Sequence, residues 1–148
     1  PMRSSAASDV YKRQLDNYVL AYTNNDKSLF RSLWDDQAIF EDPVGADPCI
    51  GIEAICEFWD FGHASGMEIT PKNVETVICS NEGILKATMG VRNTNENTGM
   101  DISIVDHFVI NKEGKITSGR AFWDESSISN PSDLNSFDIN VDEFKDRG

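Results

Sequence analysis

The stretch Met100-Asp-Ile-Ser-Ile-Val-Asp-His-Phe-Val-Ile-Asn111 decides the fold of this chain. Large apolar side chains recur at nearly every second position from Ile102 to Ile110, which is the period of a β-strand with one face in a core. The opposite face, which includes Ser103 and His107, is mixed and more polar. The stretch therefore predicts a strand with one buried face and one wetter face.

Three more stretches of this kind fill the second half of the chain, at 67–79, 83–92 and 115–123. They are rich in Val, Ile, Thr, Phe and Trp, and clusters of turn-forming residues separate them. The links at 93–99 and 112–115 have the length and composition of hairpin loops. The second half therefore predicts four consecutive strands in an antiparallel meander.

The first half has a different period. Apolar residues at helical spacing predict a first helix over 15–22, a second over about 26–35 and a third that follows Gly51. A short strand at 38–42, stopped by Pro43, lies between the second and third helices. Helices followed by a meander predict an α+β domain in which the helices pack on one face of a curved sheet.

Length and charge limit the classes of function. A chain of 148 residues is of ordinary size for one domain and can bury a core without disulfides. It carries 13 Lys and Arg against 25 Asp and Glu, a formal net charge of -12. This charge disfavours nucleic acid or an anionic membrane surface as a partner, and no apolar run is long enough to span a membrane.

The three cysteines, Cys49, Cys56 and Cys79, are an odd number without close paired spacing. This count disfavours both a disulfide framework and a zinc site. No stretch near the start has the pattern of a secretory signal. We therefore expect a reduced, cytoplasmic chain.

The two ends of the sequence differ from its middle. Residues 9–14 resemble a translated sequencing adapter, so we expect 1–14 to be non-native sequence from a metagenomic fragment and the domain to cover 15–129. The acidic tail, 130–148, has apolar residues at helical spacing. They indicate either a short amphipathic helix or a frayed tail.

Asp106 conflicts with its position. It shares the apolar strand face with four large aliphatic or aromatic side chains. Loss of solvation disfavours a charged carboxylate there, so we expect a raised pKa and an acid that keeps its proton and donates a hydrogen bond. The alternative is an acid that serves only the structure.

Asp42 and Tyr18 are the other candidate catalytic residues. Asp42 shares a strand face with Phe40 but lies at the strand end beside a glycine-containing loop, where we expect it to stay ionised and act as a base. Tyr18 lies on the buried stripe of the first helix. Its phenol and a neutral Asp106 together would supply two hydrogen-bond donors for one developing oxyanion. The alternatives are a turn-forming Asp before Pro43 and a core tyrosine.

Two motifs carry a family resemblance. Glu-Asp-Pro-Val-Gly at 41–45, and Val-Asp-His-Phe at 105–108 before an Asn-Lys-Glu-Gly-Lys turn, resemble the ketosteroid isomerase (steroid Δ5-isomerase) family, within the nuclear transport factor 2-like or SnoaL-like superfamily. In that family a Tyr of the first helix and the two Asp residues of these motifs form the active site. The matching residues here are Tyr18, Asp42 and Asp106.

The resemblance implies a conical α+β barrel around an apolar pocket, a homodimer formed through the outer sheet face, and no metal or organic cofactor. It also implies a reaction, the conversion of a 3-oxo-Δ5-steroid or a related β,γ-unsaturated ketone to the conjugated enone. The substrate is thus an apolar small molecule. The expected pocket walls are Phe40, Val44, Phe58, Trp59, Leu85, Ala87, Met89, Val91, Phe108 and Trp123.

The chain also departs from the family. Trp34 and Trp59 stand where some members have tyrosines that hydrogen-bond to the catalytic Tyr, and an indole N–H can only donate, so we expect that relay to be lost or rearranged. His63 and His107 are left unassigned; His107 lies on the opposite strand face from Asp106, and a surface or packing role is favoured. Two alternatives stay open: a polyketide cyclase, dehydratase or epoxide hydrolase of the same fold, and a non-catalytic binding or dimerisation module.

Overall fold

The computed structural model describes residues 5–131 and 135–136, with side chains described over 8–131. Its helices are α1 (Ser5–Thr23), α2 (Lys27–Ser32) and α3 (Ile52–Gly62). The predicted first and third helices are confirmed. Because α1 begins at Ser5, it runs through part of the segment 1–14, whose non-native origin stays a prediction.

Eight strands of the described chain form one sheet. The order along the sheet is β2-β1-β6-β5-β4-β3, and β7 and β8 pair with β5. Most neighbours are antiparallel, whereas β1–β6 and β5–β8 are parallel. The four predicted strands of the meander are confirmed as β3 to β6. The strands are β1 (Trp34–Glu41), β2 (Cys49–Ile50), β3 (Met67–Cys79), β4 (Glu82–Asn93), β5 (Thr98–Ile110), β6 (Ile116–Phe122), β7 (Ile128–Ser129) and β8 (Asn135–Ser136).

The predicted extent of the second helix is wrong. Asp26 caps the helix as expected, accepting a hydrogen bond from the Leu29 N–H at 2.9 Å, but α2 ends at Ser32 and β1 begins at Trp34. The Ile116 N–H donates to the Leu33 carbonyl at 2.8 Å, which joins this segment to β6. The adjacent apolar residues Leu33 and Trp34 fit the period of a helix as well as that of a strand. Pairing with β6, which is remote in sequence, makes this segment a strand.

The core lies between the helices and the inner face of the sheet. The predicted buried face of β5 is confirmed, since Ile102, Asp106 and Ile110 are all at most 7% exposed. An aromatic cluster fills the space nearest β6, where the Trp34 and Phe40 rings lie 5.0 Å apart. A Cβ at Gly119 would come within 3.0 Å of both rings, so the cluster requires glycine at this position of β6.

The acidic tail lies largely outside the described residues, and so do its four apolar positions at 134, 137, 141 and 144. Asn135–Ser136 is described, and it forms β8 beside Thr98 and Gly99 of β5. Over the described part of the chain, no helix combines the length and apolarity needed to cross a membrane.

Candidate active site

A cavity of about 230 Å³ lies between the helices and the inner face of the sheet. It brings together the three predicted catalytic residues, although they come from α1, the end of β1 and the middle of β5. Most of its wall is apolar. The lining residues are Tyr18, Tyr22, Asp42, Phe58, Trp59, Phe61, Gly62, His63, Met67, Ile69, Met89, Val91, Ile102, Ile104, Asp106, Ala121 and Trp123.

Asp106 is the buried acid of the cavity, with 4% of its surface exposed. Its neighbours across the strands are Leu85 of β4 and Ala121 of β6, and neither can hydrogen-bond a carboxylate through its side chain. Burial raises the pKa of Asp106 well above its usual value, and the nearby charge of Asp42 raises it further. Asp106 therefore keeps its proton at pH values where an exposed aspartic acid has lost it.

Asp42 lies where β1 ends, and it is only partly buried. The Trp123 indole N–H donates a hydrogen bond to Asp42 Oδ1 at 2.6 Å. Because an indole N–H donates and never accepts, this contact favours the ionised carboxylate. The two acids of one cavity therefore sit in opposite environments, one that favours the neutral form and one that favours the charge.

Tyr18 and Tyr22 are neighbouring phenols one turn apart on α1, and their ring centroids are 5.2 Å apart. Burial raises the pKa of Tyr18 well above its usual value, as do the charges of Tyr22, Asp106 and Asp42 and a hydrogen bond with Tyr22. Burial raises the pKa of Tyr22 as well, followed by the charge of Asp42. Both phenols therefore keep their protons.

Tyr22 is a site residue that the sequence prediction missed, because it was counted only as part of the buried helical stripe. The available signal was a second tyrosine four residues after Tyr18, on the same helix face. The loss or rearrangement of the tyrosine relay stays a prediction. Tyr22 is the phenol beside Tyr18, and the buried Nε1 of Trp34 has no hydrogen-bond partner among the described residues.

Half of the predicted wall lines the cavity, namely Phe58, Trp59, Met89, Val91 and Trp123. The other predicted wall residues, which are Phe40, Val44, Leu85, Ala87 and Phe108, do not line it.

The positions of these five residues outside the cavity lining have a common cause. Phe40, Leu85 and Phe108 are at most 1% exposed and fill the core beneath the cavity, where the Phe108 ring lies 4.8 Å from that of Tyr18. Ala87 is also buried in this core. Val44 lies in the loop after β1, where its N–H donates to the Ala121 carbonyl. Strand alternation identifies the inner face but not the point along a strand where the cavity begins.

The two histidines have separate environments. His63 lines the cavity, and its ring packs on that of Trp59. His107 lies on the outer sheet face, where its Nε2 is 2.7 Å from Glu82 Oε1. Among the described residues, no group of three or more His, Cys, Asp or Glu side chains is placed to hold a metal ion.

Three helices over a curved mixed sheet, with a cavity between them that holds two carboxyl groups and two phenols, define a domain with the cone-shaped nuclear transport factor 2-like fold. The predicted fold class is thereby confirmed. Residues 15–119 match the SnoaL-like domain family, and the chain belongs to that family.

Two solved structures show the same fold. One is SalBIII, described as an epoxide hydrolase/cyclase-like enzyme with a role in pyran ring formation in the polyether salinomycin. It is 24% identical in sequence, the TM-score is 0.72, and the match covers 84% of this chain and 98% of that chain. The other is an LEH-like epoxide hydrolase of M. tuberculosis, 15% identical, with a TM-score of 0.66, over 80% of this chain and 86% of that one.

Proposed function

We propose that this chain is a steroid Δ-isomerase, which converts a 3-oxo-Δ5-steroid or a related β,γ-unsaturated ketone to the conjugated enone. The single observation that carries the proposal is Asp106, a buried acid that keeps its proton in the same cavity as a carboxylate, Asp42. A base and a neutral acid in one apolar cavity suit a proton transfer next to a carbonyl group.

The chemistry uses one base and a pair of donors. Asp42 removes the proton on the carbon between the carbonyl and the alkene, which leaves a dienolate. Tyr18 and Asp106 donate hydrogen bonds to the dienolate oxygen, where the negative charge develops. Asp42 then returns the proton at the γ carbon, so the double bond moves into conjugation and the carboxylate is regenerated.

Trp123 and Tyr22 support this chemistry as positioning residues. The Trp123 indole N–H donates to Oδ1 of Asp42 and so orients the carboxylate for the proton transfer. Tyr22 packs against Tyr18 and Trp59 at ring distances of 5.2 and 4.7 Å, which holds the Tyr18 phenol in place. Preorganised donors of this kind stabilise charge without reorganising during the reaction.

The test is an isomerase assay that follows the ultraviolet absorbance of the conjugated enone. Asp42→Asn removes the base, and we expect kcat to fall by about 100- to 10,000-fold. Asp36→Asn is the matched control, since Asp36 is an exposed acid on the same strand, β1. Activity of Asp42→Asn equal to that of the parent chain would eliminate the mechanism.

Opening of an epoxide is the second candidate function, and the similarity to SalBIII over 98% of that chain favours it. The same residues suit this chemistry, because neutral Asp106 can protonate an epoxide oxygen while Asp42 activates water or an internal hydroxyl. Assays with a β,γ-unsaturated ketone and with an epoxide of similar size distinguish the isomerase function from the epoxide-opening function. If neither reacts, and Asp42→Asn and Asp106→Ala leave ligand binding unchanged, the domain is a binding module.

We propose that two copies of the chain associate through the outer face of the sheet. This face presents exposed apolar residues from neighbouring strands, and Val77 of β3 and Ile84 of β4 are directly paired there. Burial of such a patch against a second copy removes apolar surface from water. The exposed apolar residues of these strands are Ile39, Ile50, Val74, Val77, Ile84, Val105 and Phe122.

We propose that the chain is located in a reducing compartment such as the cytoplasm, because its three cysteines suit such a compartment. The three cysteines are odd in number, which disfavours a disulfide framework, and Cys49 and Cys56 are buried. Titration of the denatured protein with a thiol reagent, without prior reduction, is expected to find three free thiols. A protein recovered with fewer would contradict the proposal.

A further inference from the structure

His63 is a polar group of the cavity that the proposed reaction does not use. It lies just after α3, and its ring stacks on Trp59 with centroids 4.0 Å apart and an interplanar angle of 19°. Its centroid is 5.7 Å from that of Tyr22. The ring is thus held by the aromatic side of the cavity wall.

The hydrogen bonds of His63 determine which ring nitrogen carries the proton. Nδ1 lies 2.8 Å from the Trp59 carbonyl oxygen, and since a carbonyl oxygen can only accept, Nδ1 is the protonated nitrogen. Burial lowers the pKa of His63, which favours the neutral ring. Nε2 therefore presents a lone pair and acts as an acceptor.

That acceptor is unsatisfied. Nε2 of His63 is buried and has no hydrogen-bond partner among the described residues. Buried polar atoms are nearly always hydrogen-bonded, so an acceptor left open in the wall of a cavity is suited to a donor on a ligand. Because the atom is covered in the structure, a ligand that binds it must displace part of the wall.

Tyr22 lies next to both Tyr18 and His63. Its ring centroid is 5.2 Å from that of Tyr18 and 5.7 Å from that of His63. Tyr18, Tyr22 and His63 therefore follow one another along the cavity wall, so a ligand whose carbonyl lies at Tyr18 extends toward His63.

We propose that His63 determines substrate specificity by accepting a hydrogen bond from a hydroxyl group at the end of the substrate remote from its ketone. The substrate class is then a hydroxylated β,γ-unsaturated ketone and not a diketone. This inference rests on the proposed isomerase function, because it uses the carbonyl position at Tyr18 and Asp106 to orient the ligand. A diketone offers only a second acceptor to Nε2, which forms no hydrogen bond with it.

The test measures the binding of two steroids that share the conjugated 3-ketone, testosterone with a 17-hydroxyl and androst-4-ene-3,17-dione with a 17-ketone. Quenching of intrinsic fluorescence reports binding, since Trp59 and Trp123 line the cavity. One neutral hydrogen bond predicts about three- to tenfold tighter binding of testosterone. His63→Phe keeps a ring to stack on Trp59 without the acceptor, whereas His63→Gln restores an acceptor oxygen.

We expect the preference for testosterone to disappear in His63→Phe and to return in part in His63→Gln, with unfolding midpoints confirming that both variants fold. Equal affinities for the two steroids in the parent chain, or an unchanged preference in His63→Phe, would overturn the inference while the isomerase assay with Asp42→Asn still decides the proposed function. Failure of both steroids to bind would reject the steroid substrate class and this inference together.

Discussion

Replacing Asp106 by Asn tests whether the buried acid is neutral in the folded chain. Its pKa is raised by burial, so over the pH range between the unfolded and folded values only the unfolded chain loses this proton. Unfolding then releases a proton. The contribution of this carboxyl to the free energy of unfolding is fully present below about pH 4 and is lost as pH rises through the folded pKa. An asparagine does not titrate, so the variant does not lose stability in this way.

The magnitude follows from this linkage. We expect the free energy of unfolding of Asp106→Asn, relative to the parent chain, to increase by about 1.4 kcal/mol for each pH unit above about pH 4, up to the folded pKa. Any constant packing cost of the amide shifts this difference at every pH but leaves its slope unchanged. Urea unfolding followed by tryptophan fluorescence, at equal protein concentration and at pH 4, 5, 6 and 7, measures it.

Asp101→Asn is a control of opposite sign on the same strand. Burial raises the pKa of Asp101, but its ion pairs with Arg92 at 2.9 Å and Lys72 at 3.2 Å outweigh that effect and lower it. We therefore expect Asp101→Asn to be less stable than the parent at pH 7, with a deficit that shrinks as pH falls below about 4. If the difference in the free energy of unfolding between Asp106→Asn and the parent chain does not change from pH 4 to 7, the conclusion that Asp106 is neutral in the folded chain is wrong.

Three further changes test the surroundings of the site. Trp123→Phe removes a hydrogen bond to a charged group, so kcat/KM in the enone assay should fall by about 10- to 100-fold; an unchanged value would rule out positioning of Asp42. Tyr22→Phe should lower kcat by about three- to tenfold with little change in KM, whereas a rise in KM alone would indicate a binding role. Val77→Glu should give a monomer by light scattering after size exclusion, while Leu20→Glu, an equally apolar exposed site on α1, should leave a dimer; a dimer for both would place the interface elsewhere.

Much of the fold could be predicted because its signals are local. Alternation along 100–111 predicts the buried face of β5, and Asp26 marks the start of α2. The end of α2 could not be predicted, since Leu33 and Trp34 satisfy either period and pairing with β6 selects the strand. Local periodicity carries no information about a partner strand some 80 residues away.

The site was predictable to a similar extent. Asp106 was identified by an acid on an apolar face, which is a conflict visible in the sequence alone. Tyr22 was missed because a second tyrosine on a buried stripe is usually core. Five of the ten predicted wall residues lie outside the cavity lining, because the depth of the cavity depends on how the aromatic cluster around Phe108 fills the space beneath it.

By itself, the sequence determined the α+β class, the faces of the strands and the identity of the two acids. Only the tertiary structure decided that Asp42 accepts a hydrogen bond from the indole N–H of Trp123, 81 residues later in the chain, and that Tyr22 and His63 line the same cavity. The physical reason is the distance along the chain over which each effect acts. Periodicity and desolvation act through a residue's immediate neighbours along the chain, whereas distances between remote residues are set by packing of the whole core.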